Sequence, residues 1–157
     1  MPDALVLEPG AGDALAHHLG GSVTFKVRGA DTNGSLTVFE TEVAPGEGPP
    51  LHVHANEEEI LHVLDGDVRF RIRDDIRSAP TGSFMFVPRG VPHCFQVVGK
   101  RPARILIVFT PAGMEAFFSG LSDALAKGVD PAEAFRVSGE AAGMSVVGPP
   151  LVESHPV

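Results

Sequence analysis

Tryptophan and tyrosine are absent from this 157-residue sequence, and cysteine occurs once, as Cys94. A lone cysteine closes no intrachain disulfide, so a hydrophobic core has to hold the fold and no oxidising compartment is required. A chain of this length buries roughly 70% of its unfolded surface as one domain, enough for such a core. Basic residues are scarce, with 12 Lys and Arg against 20 Asp and Glu, a formal net charge of −8. Phosphate backbones are bound through clustered Lys and Arg, so nucleic acid is not an expected partner. Long apolar runs are missing too. No stretch of about eighteen apolar residues is available to span a membrane, and the acidic opening MPDALVLEPGAGD lacks the pattern of a signal peptide. The expectation is one cytoplasmic domain with no membrane contact.

What is plentiful is punctuation. Gly 18 and Pro 14 make up about a fifth of the chain, a level that suits short strands joined by many turns. Val23, Phe25 and Val27 alternate with Thr24 and Lys26, which predicts a half-buried strand. Further strands are expected over 35–43, 51–54, 58–64, 83–87, 93–98 and 104–109. Another carries Val68, Phe70 and Ile72 on one face and Arg69, Arg71 and Arg73 on the other. The arginines read as the wet face of that strand or as partners for nearby acids, with a binding stripe as the alternative. Short, regularly spaced strands predict an all-β sandwich or barrel. The period then changes. Met114, Phe117, Phe118, Leu121 and Leu125 fall at helical spacing, and Asp130-Pro131-Ala132-Glu133 predicts a helix start with Asp130 as the cap. We expect residues 1–36 to be an extension contributing a strand, 37–111 a barrel, and 112–157 short helices and a tail packed upon it.

His52 and His54 are two apart, so on a strand both imidazoles share a face and can reach one ion. Glu57, Glu58 and Glu59 follow a bend at Ala55-Asn56, and a carboxylate from the next strand would complete a two-His, one-carboxylate set with open positions. His93 opens another strand and adds a third imidazole if the barrel closes. His62 falls at an odd offset and should face away, as a packed or interface residue. Cys94 should point opposite His93, as a buried and inert thiol. His17 and His18 are adjacent and read as surface residues.

The run Gly46-Glu-Gly-Pro-Pro-Leu-His52-Val-His54-Ala-Asn-Glu-Glu-Glu59, with Gly66 further on, resembles the first motif of the cupin superfamily. Gly82-Ser-Phe-Met-Phe-Val-Pro88-Arg-Gly90-Val-Pro-His93 resembles the second. The second motif ordinarily ends in Asn four residues after its His, where this sequence has Val97. The C-terminal part is similar to small bacterial quercetin 2,3-dioxygenase-like cupins. The resemblance implies a jelly-roll (double-stranded β-helix) barrel holding one divalent transition metal (Fe, Mn, Ni, Co, Cu or Zn) through His52, His54, Glu59 and His93. It implies a dioxygenase-type oxidoreductase acting on a small apolar or aromatic hydroxylated compound, with Glu59 accepting a substrate proton. A non-redox isomerase, cyclase or lyase and a non-catalytic ligand-binding cupin are the alternatives. Phe84, Phe86, Phe95 and Phe109 are expected to wall the substrate pocket. Ile60, His62 and Leu64 alternate away from the metal and need cover, which leads us to expect a homodimer.

Overall fold

The structure is a computed structural model that describes residues 3–16 and 22–157; the expectation for His17 and His18 lies outside the described residues. Eleven strands are present among them: β1 (Asp13–Ala16), β2 (Ser22–Val27), β3 (Thr37–Val43), β4 (Pro50–His54), β5 (Glu58–Asp65), β6 (Asp67–Ile72), β7 (Asp75–Pro80), β8 (Phe84–Val87), β9 (His93–Val97), β10 (Ala103–Thr110) and β11 (Met144–Pro150). Between β10 and β11 lie helices α1 (Glu115–Ala126) and α2 (Pro131–Ala141), and the four-residue α3 (Leu151–Ser154) follows β11. One sheet runs β1-β2-β3-β10-β5-β8 and the other β11-β4-β9-β6-β7. All pairings are antiparallel. The two sheets face each other across one core, the jelly-roll arrangement.

Alternation decides which side chains enter that core. Buried Phe39, Thr41 and Val43 on β3 lie beside buried Ile105, Ile107 and Phe109 on β10, and Glu59, Leu61 and Val63 continue the layer on β5. From the opposite sheet come Val68 and Phe70 on β6 and His93, Phe95 and Val97 on β9. Burying each large apolar side chain contributes about 1.5–3 kcal/mol. Strand β9 is buried at all five residues. Its outward Cys94 joins Leu51 and Leu151 in a second small cluster beneath α3. Burial pushes the Cys94 thiol up to about 11, so the expectation of a protonated, inert thiol agrees with its surroundings.

The loop before β4 fixes that strand against β9. Gly46 N donates to Val97 O at 2.9 Å, and Val97 N donates to Glu47 O at 2.9 Å. At Gly48 the backbones come so close that an added Cβ would stand 1.9 Å from Phe95 O. Only glycine allows this approach, and it brings His52 into register with His93.

The helices begin as the sequence predicts. The Asp130 carboxylate accepts from the amides of Ala132 at 3.0 Å and Glu133 at 3.2 Å, with Pro131 opening the helix. Three expectations need correction. The N-terminal extension supplies two strands, β1 and β2, rather than one. The C-terminal segment is more than helices and a tail on the barrel, because β11 lengthens the sheet by pairing with β4. Arg69 is no solvent-facing residue: it donates to Gln96 Oε1 at 2.8 Å, to Leu151 O at 3.3 Å and to His155 O, tying the C-terminal segment to β6. Among the described residues, no helix is long and apolar enough to cross a membrane.

Candidate metal centre

Strands β4 and β9 lie side by side and carry three imidazoles inward. His52 and His54 project from β4 by their two-residue spacing, and His93 stands opposite His52. Ring centroids are 4.4 Å apart for His52 and His93, 4.9 Å for His52 and His54, and 5.4 Å for His54 and His93. Glu59 reaches the same point from β5, on the other sheet. Its Oε2 lies 2.7 Å from His93 Nε2 and 3.3 Å from His54 Nε2. One donor atom from each of the four residues falls within 4.8 Å of all the others, and all four side chains are buried. The four residues selected from the sequence therefore come together.

The electrostatics are those of a cluster of donors. Burial lowers His52, and the neighbouring His93 and His54 lower it further, so its imidazole is neutral and its nitrogen lone pair is available. Burial alone would raise the Glu59 carboxyl. The adjoining His54 and His93 imidazoles outweigh it and hold the group ionised, well below the usual carboxylate range. Burial would likewise lower His93, but the hydrogen bond to Glu59 and its charge raise it above the ordinary imidazole value. Two rings are oriented by main-chain carbonyls: His52 Nδ1 lies 2.8 Å from Pro50 O and His93 Nδ1 lies 2.8 Å from Val91 O. A carbonyl only accepts, so Nδ1 carries the proton and Nε2 faces the cluster. Neither buried nitrogen of His54 makes a hydrogen bond. Buried polar atoms are normally paired. Unpartnered donors aimed into a closed group of imidazoles and a carboxylate fit a transition-metal ion.

The other two glutamates separate cleanly. Glu58 is half-buried and lies 3.8 Å from Arg89. Glu57 is 4% exposed, with Oε2 unpartnered. Burial raises its carboxyl, opposed chiefly by the charge of the neighbouring His54 imidazole. Its burial means that Glu57 does not face solvent. His62 is half-buried, with Nδ1 3.2 Å from Ser83 O.

A cavity opens directly on the four residues. Phe39, Phe95, Phe109, Phe117, Phe118 and Phe135 wall it, with Met114 and Met144. Phe109 packs edge-on against the His54 ring at 5.0 Å. Phe95 and Phe109 line this cavity. Phe84 and Phe86 do not: they are 64% and 51% exposed on the outside of β8. Val87 is the residue of that strand that turns fully inward, and alternation sends Phe84 and Phe86 outward only if Val87 is known to be core. Five more wall residues come from the C-terminal segment: Met114, Phe117, Phe118, Phe135 and Met144. The first three belong to the stripe at helical spacing that the sequence predicts, on α1 and the residue before it. Besides the four clustered residues, Thr41 is the only polar side chain among the described wall residues, and none is Lys or Arg.

Residues 39–109 match the sequence profile of the cupin domain. The barrel has the cupin fold. A curated relative is the tetracenomycin polyketide synthase protein TcmJ of Streptomyces glaucescens, 28% identical over 100 residues that cover 62% of this chain and 66% of the relative. Germin-like protein 1-4 of Oryza sativa subsp. japonica is 30% identical over 146 residues, covering 82% of this chain and 61% of that protein. The chain therefore spans less than two thirds of the length of either relative. Among solved structures, an RmlC-like cupin from Shewanella frigidimarina superposes with a TM-score of 0.62 at 16% identity, over 72% of this chain and 96% of the other. That likeness establishes the fold. The cupin match ends at residue 109, whereas part of the cavity wall comes from 114–144.

Proposed function

We propose that this cupin is a metal-dependent oxidoreductase of the dioxygenase type, acting on a small apolar or aromatic compound that carries a hydroxyl or enol. The observation that carries the reading is the cavity wall: aromatic rings and thioethers, with no cationic side chain among the described lining residues, placed against three imidazoles and one carboxylate. An anionic substrate would lose its hydration there without a side-chain cation to replace it. A flat, uncharged ring system would instead pack against the phenylalanines.

His52, His54, Glu59 and His93 would hold one Fe, Mn, Ni, Co, Cu or Zn ion. A bound ion would supply positive charge that acidifies a substrate hydroxyl, and open positions for that oxygen and for dioxygen. The side chains do the rest. Glu59, ionised in this environment, is the carboxylate that accepts the hydroxyl proton. Phe95 and Phe109 hold the ring system. Met114, Phe117, Phe118 and Phe135 cover the mouth and limit water.

The test is an oxygen-electrode screen of catechols, flavonols and enols against protein reconstituted separately with Fe, Mn, Co, Ni and Cu. Metal-dependent oxygen uptake that His54→Ala abolishes is the expected result. A second reading has one observation in its favour: a relative is named a polyketide synthase protein. In that reading the same cavity serves a non-redox isomerase, cyclase or lyase. Conversion that runs equally well without oxygen would establish it, and tight binding without turnover would leave a ligand-binding cupin.

A further inference from the structure

An imidazole gives one nitrogen to a metal only when the other keeps the proton, and the partner of that second nitrogen fixes both the tautomer and the ring plane. In this cupin, two of the three rings have such a partner in the main chain. His52 and His93 each set Nδ1 2.8 Å from the carbonyl two residues earlier, Pro50 O and Val91 O. His54 breaks the pattern. Its Nδ1 is buried and unpartnered.

A matching orphan exists. Glu57 follows His54 by three residues, is 4% exposed, and has a buried Oε2 without a partner. Burial alternates from Glu57 through half-buried Glu58 to Glu59, so Glu57 points inward like the ligand carboxylate. It is not among the side chains that line the cavity. Its Oε1 lies 3.6 Å from where a Cβ of Gly113 would stand, so the bare backbone there leaves the carboxylate room. Arg89, the cation nearby, is paired with Glu58 instead. One buried group needs an acceptor and the other can only accept when ionised.

We propose that Glu57 is a positioning residue of the metal centre, whose carboxylate accepts the Nδ1–H of His54 and so presents Nε2 of that ring to the ion. No hydrogen bond joins the two in the structure, where His54 Nε2 lies 3.3 Å from Glu59 Oε2. With an ion held by the four residues, His54 would present Nε2 to it and give its Nδ1–H to Glu57. The proposal rests on reading the four clustered residues as ligands.

Cobalt(II) is the probe. The paramagnetic ion shifts the exchangeable Nδ1–H proton of each bound imidazole out of the ordinary proton NMR range, giving one signal per ring. In Glu57→Ala the His54 signal is expected to move or to vanish by exchange with water, while the His52 and His93 signals stay. Cobalt affinity, measured by chelator competition, should fall about 10–100-fold. Glu57→Gln, whose amide oxygen still accepts, should restore the third signal at a new position and part of the affinity. It also keeps the side-chain volume, so the test survives if the alanine variant folds poorly. Glu58→Gln should leave spectrum and affinity unchanged. Three unmoved signals and unchanged affinity in both Glu57 variants would overturn the proposal while leaving the metal site intact. Wild-type protein that takes up no cobalt would overturn the site itself, and this proposal with it.

Discussion

At the scale of single residues, three consecutive glutamates have three different fates, and substitution separates them. Glu59→Gln removes the charge that holds His93 and is expected to cost most of the bound metal. Glu58→Gln, half-buried beside Arg89, should cost almost none. Elemental analysis of the purified variants decides it, and a reversed order would mean that the register of β5 is wrong by one residue. The pH dependence of metal binding follows from the same pair. In the metal-free chain the proton on His93 is held above the ordinary imidazole value of about 6.5 by Glu59. That raised value stabilises the metal-free fold below the unfolded value, and the contribution is lost as pH rises through the folded one. An incoming ion has to expel the proton. His52, already neutral through burial, offers no competing proton near neutrality. Metal affinity and the metal-induced gain in melting temperature should therefore both grow as pH rises from about 6 to about 8, as chelator competition and thermal melts across that range would show. A flat profile would mean that His93 and Glu59 do not share a proton.

At the scale of elements, the Gly46–Gly48 loop is the device that sets β4 beside β9. Gly48→Ala forces a methyl onto Phe95 O at 1.9 Å, so strand or loop has to move. Overpacking of this kind costs about 1–3 kcal/mol, and here the displaced strand carries two imidazoles. The variant should melt several degrees lower and lose metal, measured by calorimetry and elemental analysis; a wild-type melt with full metal would show that the close approach is not obligatory. Elements with strong local signals were legible in the sequence. Asp130-Pro131 announces α2 because the cap is built from adjacent residues. The His-x-His spacing announces the site because strand geometry alone puts both rings on one face. Strand β11 gave no such signal. Val146-Val147-Gly148-Pro149-Pro150 does not alternate, and its partner β4 lies about ninety residues earlier. The polar edge strand β7 was equally silent, having only β6 to satisfy. The burial of Glu57 depends on cover that no local pattern records.

At the scale of the whole molecule, the outer face of the six-stranded sheet stands out. Phe86 aligns with Ile60, Ile60 with Val108, and Val108 with Val38 across four strands. Phe84 lies one step along, opposite His62. Aromatic rings exposed by half or more on such a row favour a symmetric contact between two copies, and we propose that the chain is a homodimer through this face. Light scattering should give twice the chain mass at micromolar concentration. A Phe84→Glu, Phe86→Glu double variant should give the single mass with the cavity unaltered, because both rings lie outside it. A monomeric wild type would reject the arrangement.

The pairing of β11 with β4 also imposes an order in time. A chain leaving the ribosome exposes His52 and His54 long before residues 144–150 exist, and until then the strand bearing them is a free edge with an open flank. Free edges invite pairing with other chains, and a half-walled group of imidazoles invites whatever ion arrives first. His52 and His54 are encoded about ninety residues before the strand that pairs with theirs, so the edge they stand on closes only once β11 has been made.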